Sequence, residues 1–123
     1  MARIRITAGD VSLEAELNES ATAKALLGAL PIAGRGNRWG DEIYFSIPVE
    51  AEAGPDARAD VAVGEIAYWP PGSAFCIFWG PTPASSGPEP RAASPVNPLG
   101  TIDGDATQFA AVPSGAKVTL EAV

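Results

Sequence analysis

The 123-residue sequence has no histidine and only one cysteine, Cys76. Histidine is the commonest general base and the commonest metal ligand, so its absence argues against a zinc site and against a Ser-His or Cys-His catalytic triad. A single cysteine also excludes an internal disulfide framework. We therefore expect neither a bound metal nor a cofactor.

Basic residues are scarce as well. Eight Lys and Arg stand against 15 Asp and Glu, giving a net charge of −7, and no run of Lys or Arg occurs. Phosphate backbones and anionic lipids attract clustered positive charge, so we expect neither a nucleic-acid nor a membrane partner. The sequence shows no apolar run of membrane-spanning length and no signal-peptide pattern. These absences predict a soluble, cytoplasmic protein.

The chain is instead rich in apolar residues (46%), Gly (13) and Pro (12), which indicates a folded protein with many turns and few long helices. Its length suits one domain over residues 1–123. Apolar and polar side chains alternate, as in β-strands, over several stretches. Strands are predicted over 2–8, 11–17, 41–49, 61–69, 74–79, 96–102 and 117–123, and the first two form a hairpin. In 74–79 both faces are apolar, which predicts a central strand that is covered on both sides.

One helix is predicted, between residues 18 and 31. Asn18 or Ser20 can cap its N-terminus, and Pro31 ends it. Residues 32–40, 51–60 and 84–98 are rich in Gly, Pro or polar residues and are predicted to be connections. About seven or eight short strands with one helix indicate a mainly β fold, closed into a barrel.

Three segments resemble those of small prokaryotic cyclophilin-like proteins, an uncharacterised family. They are WGDEIYFSIPV (39–49), GEIAYWPPGSAFCIFWGPTPAS (64–85) and SPVNPLGTI (94–102). The similarity runs nearly end to end. The resemblance implies a cyclophilin-type closed barrel of eight strands with a capping helix.

A fainter similarity to true cyclophilins covers residues 72–77 and 99–104, but the isomerase residues are missing. Ala74 stands where the cyclophilin GSQFFI block has glutamine. FSIP at 45–48 lacks the arginine of the F-H-R-x-I-P block, and the sequence has no histidine. Prolyl isomerisation has a barrier of about 20 kcal/mol. Without that arginine, the resemblance implies a binding domain rather than a conventional isomerase.

Some aromatic and polar residues could form a ligand site, although each has a structural alternative. Tyr44, Tyr68 and Trp69 combine an apolar ring with a polar group near a strand end, which suits either a pocket rim or the core. Arg38 and Arg91 could hold an anion or form surface ion pairs. Asn97 could contact a ligand or cap a loop, and capping is favoured.

Three carboxylates, Asp41, Glu42 and Glu65, could act as acid–base groups if burial or a like charge raised their pKa. Adjacent Asp41 and Glu42 point to opposite faces of a strand and do not form a pair. Cys76 lies between aromatic residues and is predicted to be buried and unreactive.

The residues thus predict a binding domain for a small molecule or peptide with no catalytic set. Two alternatives remain open, a divergent prolyl isomerase and an accessory subunit of a metabolic enzyme. Self-association into a homo-oligomer is also consistent with the sequence.

Overall fold

The alternating stretches form antiparallel strands in the computed structural model of the protein, which describes residues 2–123. Ten strands lie within this range. Their bounds are β1 (Arg3–Ala8), β2 (Val11–Leu17), β3 (Ile32–Arg35), β4 (Asn37–Arg38), β5 (Glu42–Ser46), β6 (Arg58–Asp60), β7 (Glu65–Trp69), β8 (Ala74–Phe78), β9 (Arg91–Ile102) and β10 (Lys117–Ala122).

The strands form one hydrogen-bonded path, in the order β3-β10-β1-β2-β9-β7-β8-β5-β4, with β6 paired to β9 beside it. The path is open, because β3 and β4 at its two ends are not hydrogen-bonded neighbours. Along the chain, however, only Gly36 separates them. The mainly β prediction is confirmed, whereas a closed barrel of about eight strands is not.

The difference in strand count has two sources. Residues 32–38, predicted as a connection, form β3 and β4, which pair with β10 and β5 respectively. The polar stretch 51–60 contains the short strand β6. The predicted connection 84–98 also ends earlier than expected, because β9 begins at Arg91 and is 12 residues long.

The predicted helix, α1, spans Ala21–Ala29. Ser20 is its N-cap: the Ser20 hydroxyl accepts a hydrogen bond from the backbone N–H of Ala23 at 3.2 Å. The helix buries Ala23 and Leu26 against the sheet. Two short 3-10 helices, Pro70–Gly72 and Ala106–Ala111, complete the helical structure in residues 2–123. None of these helices has the length and apolar composition required to span a membrane.

Apolar side chains are buried on both faces of the sheet. The main core contains Ile66 and Tyr68 from β7 and Phe75 and Ile77 from β8. The alternate residues of the same strands point the other way. They belong to a second cluster, which consists of Val61, Ala67, Ala74, Cys76, Phe78, Ala92 and Val96. Burial of both faces of β8 confirms the prediction for this strand.

Strands β2 and β9 approach closely at Gly100. This residue pairs with Leu17, and a Cβ atom built on it would lie 1.9 Å from the carbonyl oxygen of Glu16. No larger residue fits without separating the strands. The approach fixes β9, which carries part of the site described below.

Candidate functional site

A cleft lies over the second cluster, where it is partly open to solvent. Its volume is about 230 Å³. Strands β5, β7, β8 and β9 supply most of the walls, and the residue that follows β4 closes one side. The lining residues are Trp39, Glu42, Tyr44, Trp69, Cys76, Ala92, Ala93 and Val96.

Glu42 is the one carboxylate among the lining residues. As the first residue of β5 it pairs with Phe78 of β8, and alternation places it on the same face as Tyr44. Only 4% of Glu42 is exposed. Within residues 2–123 no Lys or Arg forms an ion pair with it, in contrast to the buried Glu65, which pairs with Arg58.

Burial among apolar groups disfavours the charged form of Glu42. The pKa of its carboxyl group is raised from 4.5 to about 7, and the neighbouring Cys76 thiol offsets only part of this effect. Near neutral pH, Glu42 is therefore a mixture of acid and carboxylate. It can donate a proton to a bound molecule or accept one from it.

Cys76 lies on β8, opposite Tyr44. It is 1% exposed. Burial and the nearby Glu42 charge raise the pKa of the thiol well above its usual range. Such a thiol is a weak nucleophile at neutral pH. The predicted burial of Cys76 is confirmed.

Three aromatic side chains, Trp39, Tyr44 and Trp69, line the cleft beside Glu42. The indole N–H of Trp69 donates a hydrogen bond to the Ser94 hydroxyl at 2.7 Å, which fixes the orientation of the ring. Trp39 is tied to β5 by its backbone N–H, which donates to the carbonyl of Glu42 at 3.0 Å. All three residues are only partly buried, and each contributes to the wall of the cleft.

Arg38 does not line this cleft. Its guanidinium group lies over the Trp79 ring, 5.0 Å from the centroid. It also donates hydrogen bonds to the carbonyls of Gly40, Ala110 and Val112 at 3.2, 3.1 and 2.9 Å. These contacts hold the second 3-10 helix against the sheet.

Tyr68 and Arg91 also lie outside the cleft. The Tyr68 side chain is 1% exposed in the main core. Its hydroxyl donates to the carbonyl of Val49 at 2.6 Å and accepts from the N–H of Ala51 at 3.1 Å. Arg91 forms an ion pair with Asp60 at 2.8 Å. Both residues connect the loop and strand between residues 49 and 60 to the sheet.

Asn97 lines a second, smaller cavity of about 130 Å³ beside the N-terminus of α1. Its side-chain oxygen accepts from the N–H of Gly54 at 2.8 Å. Its amide donates to the Thr22 hydroxyl at 3.2 Å and to the carbonyl of Glu52 at 2.9 Å. Asn97 thus holds the loop around residue 53 against the helix.

Of the six predicted site residues, the structure brings together Tyr44 and Trp69 in the cleft, with Arg38, Tyr68, Arg91 and Asn97 elsewhere. Trp39 and the burial of Glu42 were not predicted from the sequence. The signal in the sequence was that both faces of β8 are apolar. Another part of the chain must therefore cover the face of the sheet on which Glu42 lies. No group of three or more potential metal ligands occurs in the described part of the chain.

Comparison with known proteins places the chain in a family. Residues 2–121 match the family described as cyclophilin-like, and the chain belongs to it. A solved structure, the solution structure of the hypothetical protein AF2241 from Archaeoglobus fulgidus, is similar with 38% identity and a TM-score of 0.83. The match covers 99% of this chain and 95% of that one.

McbB, solved in complex with tryptophan, has a similar fold, with 14% identity and a TM-score of 0.67. The match covers 96% of this chain and 44% of McbB. At this identity the likeness shows the fold alone. No curated protein matches the chain significantly.

Proposed function

We propose that the protein binds a small molecule in the cleft formed by Glu42, Trp39, Tyr44 and Trp69. The observation that carries the proposal is the buried, unpaired carboxyl group of Glu42 at an open, aromatic-lined cavity. Binding sites combine mainly apolar walls with a few polar groups that orient the ligand, and this cleft has that composition. Its volume of about 230 Å³ is below the range of about 300–1,000 Å³ for drug-sized ligands. A small molecule therefore fits better than an extended peptide.

A titration by NMR tests the proposal. Benzyl alcohol and other small aromatic compounds are added to the ¹⁵N-labelled protein at up to millimolar concentrations. We expect chemical-shift changes in residues 39–44, at Trp69 and Cys76, and in residues 92–96. Changes confined to other surfaces, or none with any compound, would refute a binding role for this cleft.

Two substitutions separate specific binding from general apolar contact. Trp69→Ala removes one aromatic wall, and we expect at least about fivefold weaker binding, since stacking on an aromatic ring contributes about 1–3 kcal/mol. Leu27→Ala is the control, because Leu27 is an exposed apolar residue on α1, outside the cleft. Equal affinity of the two variants for the same compound would contradict the proposed site.

A second candidate function is an enzyme in which Glu42 acts as general acid or base. Its support is the pKa of about 7, which suits proton transfer at neutral pH. For prolyl isomerisation in particular we expect no rate above the uncatalysed one. The FSIP segment at 45–48 contains no arginine, and its one polar side chain, the Ser46 hydroxyl, donates to the carbonyl of Gly72 at 3.1 Å. Turnover in a proline-peptide assay that is lost in Glu42→Gln would instead favour catalysis.

A further inference from the structure

The only charge that the cleft lining can carry is negative. Glu42 is the only lining residue that carries a charge in the ordinary pH range, and no Lys or Arg is among the lining residues. Cys76 from β8 and Tyr44 from β5 are the other titratable groups that line it. The lining residues from β7 and β9 are Trp69, Ala92, Ala93 and Val96, none of which titrates. The protein as a whole carries −7.

The aromatic walls add to the negative electrostatic potential of the cleft. The face of an aromatic ring carries partial negative charge and attracts a cation placed over it, most strongly for tryptophan. Two tryptophans and a tyrosine line the cleft together with Glu42, and only 4% of Glu42 is exposed. An anionic ligand would meet both the carboxylate and the ring faces without any positive group to pair with.

A neutral ligand would leave the Glu42 carboxylate without a counter-charge, so that the group would have to remain protonated. A positively charged nitrogen supplies the missing counter-charge. It also forms a charge-assisted hydrogen bond, which is about twice as strong as a neutral one. The apolar floor of Cys76, Ala92 and Val96 then accommodates the hydrocarbon part of the molecule.

We infer that the ligand of this cleft is a small amine, bound in its ammonium form with the nitrogen at Glu42 and its hydrocarbon part against Trp39, Tyr44 and Trp69. This inference rests on the proposed binding function and narrows it to one class of ligand. It makes Glu42 the group that determines ligand charge.

Three compounds that share a benzyl or phenyl group test this assignment. Benzylamine, benzyl alcohol and benzoate are cationic, neutral and anionic at pH 8. We expect benzylamine to bind about 10- to 100-fold more tightly than benzyl alcohol. This ratio is the gain in affinity that a hydrogen bond to a charged group commonly provides. Benzoate is expected to bind more weakly than either. Isothermal titration calorimetry gives the affinities, and NMR shifts locate each compound.

Glu42→Gln keeps the shape of the side chain and removes its charge. We expect this variant to lose the 10- to 100-fold preference for benzylamine while its affinity for benzyl alcohol changes less than about threefold. Glu121→Gln, an exposed position on β10, alters the net charge by the same amount and lies outside the cleft. It is expected to leave all affinities unchanged.

Binding by the wild type is also expected to depend on pH. Benzylamine stays protonated below pH 8, as alkylammonium groups do, whereas Glu42 gains a proton below about pH 7. The affinity is therefore expected to fall by up to about tenfold per pH unit between pH 7 and pH 5, with proton release on binding. Glu42→Gln is expected to show neither effect.

The outcomes separate the two proposals. If benzyl alcohol or benzoate binds in the cleft as tightly as benzylamine, the amine inference is overturned while the binding function stands. The inference also fails if Glu42→Gln retains the preference for benzylamine. If none of the three compounds shifts the cleft residues, the binding function itself is refuted, and the inference with it.

Discussion

Burial of Glu42 without an ion-pair partner predicts a protein whose stability decreases as the pH rises. The folded state holds a proton on Glu42 up to about pH 7, whereas the unfolded chain releases it near the ordinary value of 4.5. Between these two values the folded state binds more protons than the unfolded state. The free energy of unfolding is then expected to fall by about 1.4 kcal/mol per pH unit from this group.

The size of the effect follows from the two pKa values. The difference between 4.5 and about 7 corresponds to about 3 kcal/mol, at about 1.36 kcal/mol per pKa unit. The contribution of Glu42 to stability is complete below pH 4.5 and is lost as the pH passes 7. A loss of about 3 kcal/mol is a large part of the free energy of unfolding of a typical protein, which is roughly 5–15 kcal/mol.

Glu42→Gln removes the titrating group and keeps its shape. We expect the variant to match the wild type near pH 4 and to be more stable by up to about 3 kcal/mol at pH 8. Urea unfolding followed by tryptophan fluorescence at several pH values measures both proteins. The difference between them isolates Glu42, because other titrating groups, such as Asp105 with its lowered pKa, are common to both.

Glu65→Gln is the matched control, since Glu65 is also buried. Its carboxylate accepts hydrogen bonds from the Arg58 guanidinium and from the N–H of Ala62 at 2.9 Å. Here the same substitution is expected to reduce stability by about 1–3 kcal/mol at pH 7, because a charged hydrogen bond is lost. The reasoning is refuted if Glu42→Gln destabilises the protein at pH 8, or if its stability has the same pH dependence as the wild type.

Three further experiments test the packing. Gly100→Ala is expected to lower the free energy of unfolding by about 3 kcal/mol or more, because the new methyl group would overlap the neighbouring strand. Gly28→Ala, at an open position of α1, is expected to raise it by up to about 1 kcal/mol. Equal thermal unfolding temperatures of the two variants would contradict both expectations. Tyr68→Phe is expected to cost about 1–3 kcal/mol by leaving buried groups unpaired, whereas Tyr44→Phe is expected to change stability by less than about 0.5 kcal/mol in the same urea assay. Cys76 is expected to react with a thiol reagent at pH 8 far more slowly in the folded protein than in urea, and equal rates would show that the thiol is not buried.

The strands with strict alternation were predictable from the sequence. In β8, where both faces are apolar, burial on two sides could be inferred as well. The helix was predictable for a similar reason, since Ser20, the apolar spacing and Pro31 mark its bounds. In these segments, local sequence and tertiary packing favour the same structure.

The stretch 32–38 was missed because its glycines suggest turns. In the structure, Gly34 and Gly36 instead allow β5 to approach. A Cβ atom on Gly34 would lie 2.7 Å from the Phe45 ring, and one on Gly36 would lie 2.8 Å from the Ile43 side chain. Their role depends on residues distant in sequence, which alternation within a strand does not report.

Strand β9 was only partly predicted because prolines interrupt it. Pro98 pairs with Ala67 where the register between β7 and β9 shifts. A proline is tolerated at such a bulge because the regular hydrogen-bonding pattern is already broken there. The bulge depends on the pairing of the two strands and leaves no mark in the sequence of β9 alone.

The position of Glu42 was predictable in one respect and unpredictable in another. Alternation correctly assigns it to the face opposite Ile43 and Phe45, but alternation says nothing of what covers that face. The cover comes from the second cluster, which includes Val61 and Ala92, far along the chain. Folding alone does not account for an acidic residue at this position, because an unpaired buried carboxyl group weakens the protein at neutral pH. Glu65 shows that the same fold can pair a buried carboxylate with an arginine. The unpaired state of Glu42 beside three aromatic rings is therefore the observation from which we propose a ligand site in this cleft.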